Sequence, residues 1–272
     1  MATSNKINLT GAKETLFITL CAKAIDCQAE PSMLHDAKAL EILNTVGYDF
    51  TKLKGKIYYR NTVCRAKYID EWVKEFITTN ENAIVLYIGC GLDSRVTRIN
   101  PPSTVNWYDL DFPEVIEVRK SFYSDTAHYK MLAASATDKA WLSQIPNNRS
   151  TIIVAEGVLE YLAAEDVKQL IGRLADYFDK GQMVFDVMSK WAISFGNRER
   201  KMANLMTDSV HFWGIDDISE INTYNPKLER MDVISIFETP YVREMLPTVG
   251  IFAKMINAPE LKNVMRLLRY KF

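Results

Sequence analysis

The chain has 272 residues, 48% of them hydrophobic and 25% charged, with a formal net charge of −1 at pH 7. That length allows one large domain, or one domain with a cap, and the near-neutral balance without a long run of one sign argues against nucleic-acid binding. The polar start (Met1 to Thr10) lacks an apolar signal core, and no apolar run approaches the ~20 residues that span a bilayer, so a soluble, cytoplasmic protein without membrane association is expected.

Residues 12–79 read as helical. Asp36 is placed to cap a helix over Ala37 to Val46. Between Asn61 and Thr79, Ile69, Trp72, Val73, Phe76 and Ile77 recur at helical spacing. Arg65, four residues before Ile69, extends that buried stripe. A guanidinium there needs a partner, because arginine is rarely buried unpaired. It either makes a salt bridge to a nearby acid or grips a ligand carboxylate with its fork. The four cysteines, Cys21, Cys27, Cys64 and Cys90, form no C-x-x-C pair. Neither a metal site nor a disulfide framework is indicated.

From Asn82 the pattern alternates. Strands are expected at 84–88, 104–108, 129–133, 151–155 and 182–188, with helical segments near 92–99, 113–123, 138–145 and 164–178. This alternation predicts an α/β fold with a parallel sheet covered on both faces, and a ligand site beyond the carboxyl ends of the strands. Gly89, Gly91, Asp109, Asp111, Ala134, Ser135 and Glu156 then surround one crevice. Residues 190–235, rich in Met, Asn and aromatics and too long for a simple connection, are expected to form an inserted helical cap. A helix around Tyr241 to Thr248, a strand around Ile251 to Ile256 and a last strand, Val264 to Tyr270, are expected to complete the sheet. The organisation predicted is one domain: a helical segment 1–80, a Rossmann-like core 81–189 and 236–272, and the cap 190–235.

Residues 82–111, N-A-I-V-L-Y-I-G-C-G-L-D-S-R-V-T-R-I-N-P-P-S-T-V-N-W-Y-D-L-D, carry the clearest functional signal. Gly89 and Gly91 follow a buried strand and let a ligand approach the backbone. An acid about 20 residues on, Asp109 or Asp111, can accept both hydroxyls of a ribose. The third position of a dinucleotide fingerprint is Ser94 rather than glycine or alanine. Asp93 stands where it would repel a pyrophosphate and favour a cationic ligand. S-adenosylmethionine, with a ribose, a sulfonium and an ammonium but no phosphate, fits this pattern.

Seven motifs recur together: T-G-A-K-E-T near the start, L-H-D-A-K-A-L-E-I-L at 34–43, Y-D-F at 48–50, R-A-K-Y-I-D at 65–70, Y-I-G-C-G-L-D-S-R at 87–95, D-L-D-F-P-E-V at 109–115 and A-E-G-V-L-E-Y-L at 155–162. The set resembles the leucine carboxyl methyltransferase family, which also contains tetracenomycin-type polyketide O-methyltransferases. The resemblance runs from about Leu9 to Asn204. It implies a Rossmann-like S-adenosylmethionine-dependent methyltransferase sheet with N-terminal helices and an inserted helical cap. It also implies that Lys23 and Arg65 hold the donor carboxylate, that Gly89 lies in the cofactor turn, that Asp111 binds the ribose with Asp109 as the alternative, and that Glu156 lies near the amine. Beside the adenine, where the family has an Asp-Leu pair, this chain has Ser135-Ala136, a weaker and neutral contact.

The implied activity is methyl transfer to a carboxylate or hydroxyl of a small metabolite. A protein C-terminal carboxylate is the alternative acceptor, and a non-catalytic binding module on the same fold the alternative role. A carboxylate acceptor is ionised at pH 7 and needs no base; holding the reacting atoms in line then suffices. A phenol or thiol acceptor would draw on a base, for which His211, beside Phe212 and Trp213, is the candidate. Tyr161 at the strand-to-helix turn and Arg198 in S-F-G-N-R-E-R are candidate acceptor contacts. Phe195, Trp213 and Tyr224 form either an apolar acceptor pocket or the core of the cap.

Overall fold

The computed structural model describes residues 9–50, 59–202, 209–241 and 262–272. Three helices come first: α1 (Leu16–Cys27), α2 (Ala37–Thr45) and α3 (Tyr59–Thr79). The alternating part follows as β1 (Ile84–Ile88), α4 (Arg95–Ile99), β2 (Asn106–Asp111), α5 (Pro113–Arg119), β3 (Tyr129–Ala133), β4 (Thr151–Ala155), α6 (Ala164–Tyr177), β5 (Gly181–Met188) and α7 (Lys190–Met202). The chain ends with β6 (Glu229–Ser235) and β7 (Met265–Lys271). Among the described residues these strands form one sheet in the order β3-β2-β1-β4-β5-β7-β6, with β7 antiparallel to both neighbours and the other pairs parallel.

All five residues of β1, Ile-Val-Leu-Tyr-Ile, are buried, as a central strand covered on both faces requires. Alternate residues serve opposite faces. Val85 and Tyr87 join Trp107, Val154 and the stripe of α3 (Ile69, Val73, Phe76) in one core. Ile84, Leu86 and Ile88 join Ile153, Phe185, Trp141 and the inner face of α6 in the other. The N-terminal helices are therefore one full layer of the domain. Asp36 caps α2 as expected, accepting from the Ala39 N–H at 2.9 Å.

Several expected boundaries move. The second strand begins at Asn106, because the turn bond from Val105 N–H to the Pro102 carbonyl occupies the residues before it. That displacement puts Asp109 inside the strand and Asp111 at its carboxyl end. The helix expected at 92–99 is α-helical only from Arg95 and stops at Asn100, whose left-handed φ of 50° precedes two prolines. Residues 140–144 form a 3₁₀ turn instead of an α-helix. The largest correction concerns the cap. Residues 229–235, expected at its end, are the edge strand β6, paired antiparallel with β7. The alternation of charged and apolar side chains over Arg230, Met231, Asp232 and Val233 suits a strand exposed on one edge. The expected strand at 251–256 and most of the helix at 241–248 lie outside the described residues. No helix among the described residues is long and apolar enough to cross a membrane.

Leu86 is fully buried in the centre of the sheet. Leu86→Ala is expected to cost about 2–5 kcal/mol of stability, read as a lower denaturant midpoint with an unchanged slope.

Candidate active site

β1 delivers the chain into the turn Gly89-Cys90-Gly91. Both glycines have positive φ, +65° and +52°, a region open to residues without a Cβ. A side chain on Gly89 would also overlap the Val158 side chain. The amides of Gly89 and Cys90 both donate to the Leu110 carbonyl, at 2.7 and 3.2 Å. The turn is therefore stitched to the end of β2, where Asp111 closes it. One Asp111 oxygen accepts from Gly91 N–H and the other from Phe112 N–H, each at 2.7 Å. Burial nevertheless outweighs these two donors and pushes the Asp111 carboxyl up to about 6. Cys90 is buried, and burial pushes its thiol well up. It is a packing residue of the turn.

Asp109 does something different. It is fully buried beneath the turn, accepting from Arg119 Nη2 at 2.5 Å, Tyr129 Oη at 2.7 Å and Trp107 Nε1 at 2.8 Å. Arg119 passes this support upward by donating to the Gly91 and Asp93 carbonyls at 3.0 and 2.8 Å. Of the two acids in the D-x-D motif, Asp111 faces the crevice and Asp109 holds the turn from below.

A chain of buried ion pairs runs behind the crevice. Arg65 on α3 binds Glu156 through Nε at 3.1 Å and Asp186 through Nη1 at 2.9 Å. The second oxygen of Glu156 is held by Arg95 Nη2, and Arg95 Nε reaches Asp70 at 2.7 Å. Arg98 joins Asp70 and Asp36, each at 2.6 Å, and Asp93 at 3.1 Å. Lys23 on α1 completes the chain with Asp93 at 2.8 Å. Ser94 and Tyr87 add hydroxyl donors, to Asp36 at 2.5 Å and to Asp93 at 2.9 Å. Burial raises the Glu156 carboxyl, but Arg95, Lys23 and Arg65 together pull it down to about 2. Asp93 is likewise raised by burial and drawn well below the usual carboxylate range by Lys23, Arg98 and Arg95.

This network corrects one sequence reading. Asp93 is not a free negative charge at a helix start; its carboxylate is committed to three cations. Arg65 makes the salt bridge of one alternative, with Glu156 as one partner, and also lines the cavity, as the other alternative requires. Asp186 was missed. Its other oxygen accepts from Gly157 N–H at 2.7 Å, so it ties α3 to the turn after β4. A single acid inside the apolar run M-V-F-D-V-M of β5 was the signal, since aspartate is seldom fully buried without a partner.

In front of the network lies a cavity of about 370 Å³, within the size range of small-molecule sites. Ten of the predicted residues line it together: Lys23, Arg65, Gly89, Gly91, Asp111, Ser135, Ala136, Glu156, Tyr161 and His211. Ser135 Oγ is tied into its own turn, 2.8 Å from Thr137 Oγ1. Three predicted residues lie elsewhere. Asp109 sits beneath the turn, Trp213 is buried in the second core, and Arg198 is exposed on α7. Phe195 is also exposed, and Tyr224 packs on the second core. Sequence reasoning missed two further lining groups, Glu160 and the N-terminal turn. Ala12, Lys13, Thr15 and Leu16 form one wall. Lys13 anchors it by pairing with Glu114 at 2.8 Å and lying 5.0 Å over the Phe112 ring.

Known proteins share both the sequence and the fold. The family model for leucine carboxyl methyltransferase matches residues 17–175. The tetracenomycin polyketide synthesis O-methyltransferase TcmP of Streptomyces glaucescens is 34% identical over 268 residues, 98% of each chain. The S-adenosyl-L-methionine-dependent methyltransferase dpfgK of Gibberella zeae is 29% identical over 257 residues, covering 84% of this chain and 85% of that protein. The plantazolicin methyltransferase BpumL, solved with SAH, superposes with a TM-score of 0.51 at 11% identity over 95% of this chain and 98% of its own. The fold, the crevice and these relatives make the chain an S-adenosylmethionine-dependent methyltransferase. It belongs to the leucine carboxyl methyltransferase family.

Replacing Glu156 by Gln leaves Arg65 and Arg95 short of a buried counter-charge, and about 3–5 kcal/mol of stability is expected to be lost. Because the Glu156 carboxyl falls from its ordinary 4.5 to about 2 in the fold, its contribution is complete above its unfolded value and is lost as pH falls toward 2. Denaturation curves of the wild type and Glu156→Gln should therefore differ at neutral pH and converge under strong acid.

Proposed function

We propose that this enzyme is an O-methyltransferase acting on a carboxylate or hydroxyl of a small metabolite. The observation that carries the reading is one cavity lined both by Asp111 with the glycine turn and by Tyr161 with His211. The relation to a polyketide O-methyltransferase along nearly the whole chain supports it.

The residues present suit the methyl donor. Asp111 offers a carboxylate to ribose hydroxyls, and the Gly89–Gly91 backbone admits a close ligand. Ser135 and Ala136 line the part of the cavity assigned to the adenine. Lys23 and Arg65 are assigned to the donor carboxylate and Glu156 to its ammonium. The network supports this assignment through its charge. It contains four cations (Lys23, Arg65, Arg95, Arg98) and five carboxylates (Asp36, Asp70, Asp93, Glu156, Asp186). Counted formally it is one negative charge in excess, which matches a donor carrying a sulfonium, an ammonium and one carboxylate. When bound, S-adenosylmethionine supplies an activated methyl group. The protein's own part is to orient both partners and to keep water out, and alignment of this kind is worth up to about 7–11 kcal/mol in well-organised systems.

A labelled-methyl screen over carboxylic acids, phenols and thiols, read by mass spectrometry, tests the proposal. Label on oxygen supports it, whereas label confined to thiols removes it. The ribose assignment has its own check. Only the ionised Asp111 accepts two hydroxyl hydrogen bonds, so affinity for S-adenosylhomocysteine should weaken as pH falls through about 6. Asp111→Asn should bind at least tenfold more weakly at pH 8, with that pH dependence gone, by calorimetry.

A further inference from the structure

We propose that Ser135 and Thr137 form a hydroxyl pair that meets the purine edge of the donor without fixing the sense of the hydrogen bond. The site then takes a 6-oxo purine nearly as well as the 6-amino purine of S-adenosylmethionine. This rests on the donor assignment above and adds the base specificity of the same site.

The pair belongs to the loop that follows β3. Ser135 and Ala136 line the cavity, and Ser135 and Thr137 are both half-buried. The backbone of this loop is tied at several points. Ala134 N–H donates to the Asp111 carbonyl at 2.9 Å, and Asp138 N–H donates to the Ser135 carbonyl at 3.1 Å. From α6, Arg173 donates through Nη2 to the Ala136 carbonyl at 2.9 Å and through Nη1 to the Thr137 carbonyl at 3.2 Å. A guanidinium fork therefore clamps the loop from the helix side, and the heavy atoms of the pair are set before a purine arrives.

The hydrogens are not set. A hydroxyl has one hydrogen to give and two lone pairs. Ser135 Oγ accepts from Thr137 N–H at 3.3 Å, which fills one lone pair. Its contact with Thr137 Oγ1, at 2.8 Å, can run in either direction. Thr137 Oγ1 has no second partner among the described residues, so either direction is open to it. When Thr137 donates, both lone pairs of Ser135 are filled and its hydrogen is free for an acceptor on the base. When Ser135 donates, one lone pair is free for a donor on the base. Turning two hydroxyl hydrogens exchanges the two states, with no movement of the loop.

A 6-amino purine shows a donor at position 6 and an acceptor on the adjoining ring nitrogen. A 6-oxo purine shows the reverse. Whichever of these atoms Ser135 meets, one of its two states matches. A carboxylate at this position only accepts, so it favours the amine. Sites that leave a buried polar group unpaired with the wrong ligand reject it by about 10⁴-fold or more. The exchangeable pair leaves none unpaired with either base.

The test measures affinities of the full chain for S-adenosylhomocysteine and S-inosylhomocysteine, its 6-oxo counterpart, by calorimetry. The wild type should prefer the first by less than about tenfold. Ser135→Ala should weaken both several-fold, the size of one neutral hydrogen bond, and Ser135→Thr, which keeps the hydroxyl, should restore both. Ser135→Asp should widen the preference for the 6-amino ligand about fivefold or more. A wild-type preference of tenfold or more, a Ser135→Ala variant that binds both ligands as the wild type does, or a folded Ser135→Asp variant with an unchanged preference overturns the inference. The wild-type ratio and Ser135→Ala decide the matter if Ser135→Asp does not fold. A wild-type protein that binds neither ligand would instead sink the donor assignment.

Discussion

The rest of the structure depends on a set of buried charges that satisfy one another. Taking ions out of water is costly, and their mutual attraction offsets that cost only when geometry is good and remaining donors and acceptors are filled. Here each carboxylate of the network meets a guanidinium or ammonium. Hydroxyls of Ser94 and Tyr87 and the Gly157 amide occupy further lone pairs. The network reaches from α1, α2 and α3 through α4 to the ends of β4 and β5. It therefore fixes the helical layer to the sheet at the place where the sheet opens its crevice. Apolar packing alone would hold the layers together but would not dictate their register.

The same arrangement explains how the crevice and a stable interior share residues. Lys23, Arg65 and Glu156 each face the cavity while paired inside the fold. Their orientations are set before any ligand arrives, which lowers the entropy that binding must offset. Asp111 is set in the same way by two amides, and Asp109 and Arg119 hold the turn beneath it. The segment that carries His211 is held by backbone contacts, through Asn197 and the Glu160 carbonyl.

Much of this was legible in the sequence, for identifiable reasons. The five central strands are short apolar runs bounded by turn residues, and β1, β3 and β4 fall where the pattern places them. The glycine turn announces itself because Gly89 and Gly91 stand directly after a buried run. Periodicity could not separate Asp109 from Asp111, since residues two apart share a side. Their partners decide it: Asp109 is taken up by Arg119, Tyr129 and Trp107, whereas Asp111 meets the amides of the turn. The partner of Arg65 was equally invisible, because a sequence shows that a buried guanidinium needs an acid but not which distant one supplies it. Asp186 stands 121 positions away. Residues 229–235 misled because their flanks suited a cap, and only pairing with β7 shows them to be a strand.

The reach of the ion network along the chain bears on how the molecule is made. Lys23 emerges from the ribosome early and Asp186 long afterwards, so charges destined for the interior must wait in water while their partners are still being translated. A nascent chain stopped before β5 holds Arg65 without one of its two counter-ions. The full set of ion pairs behind the crevice can therefore form only after β5 has been made.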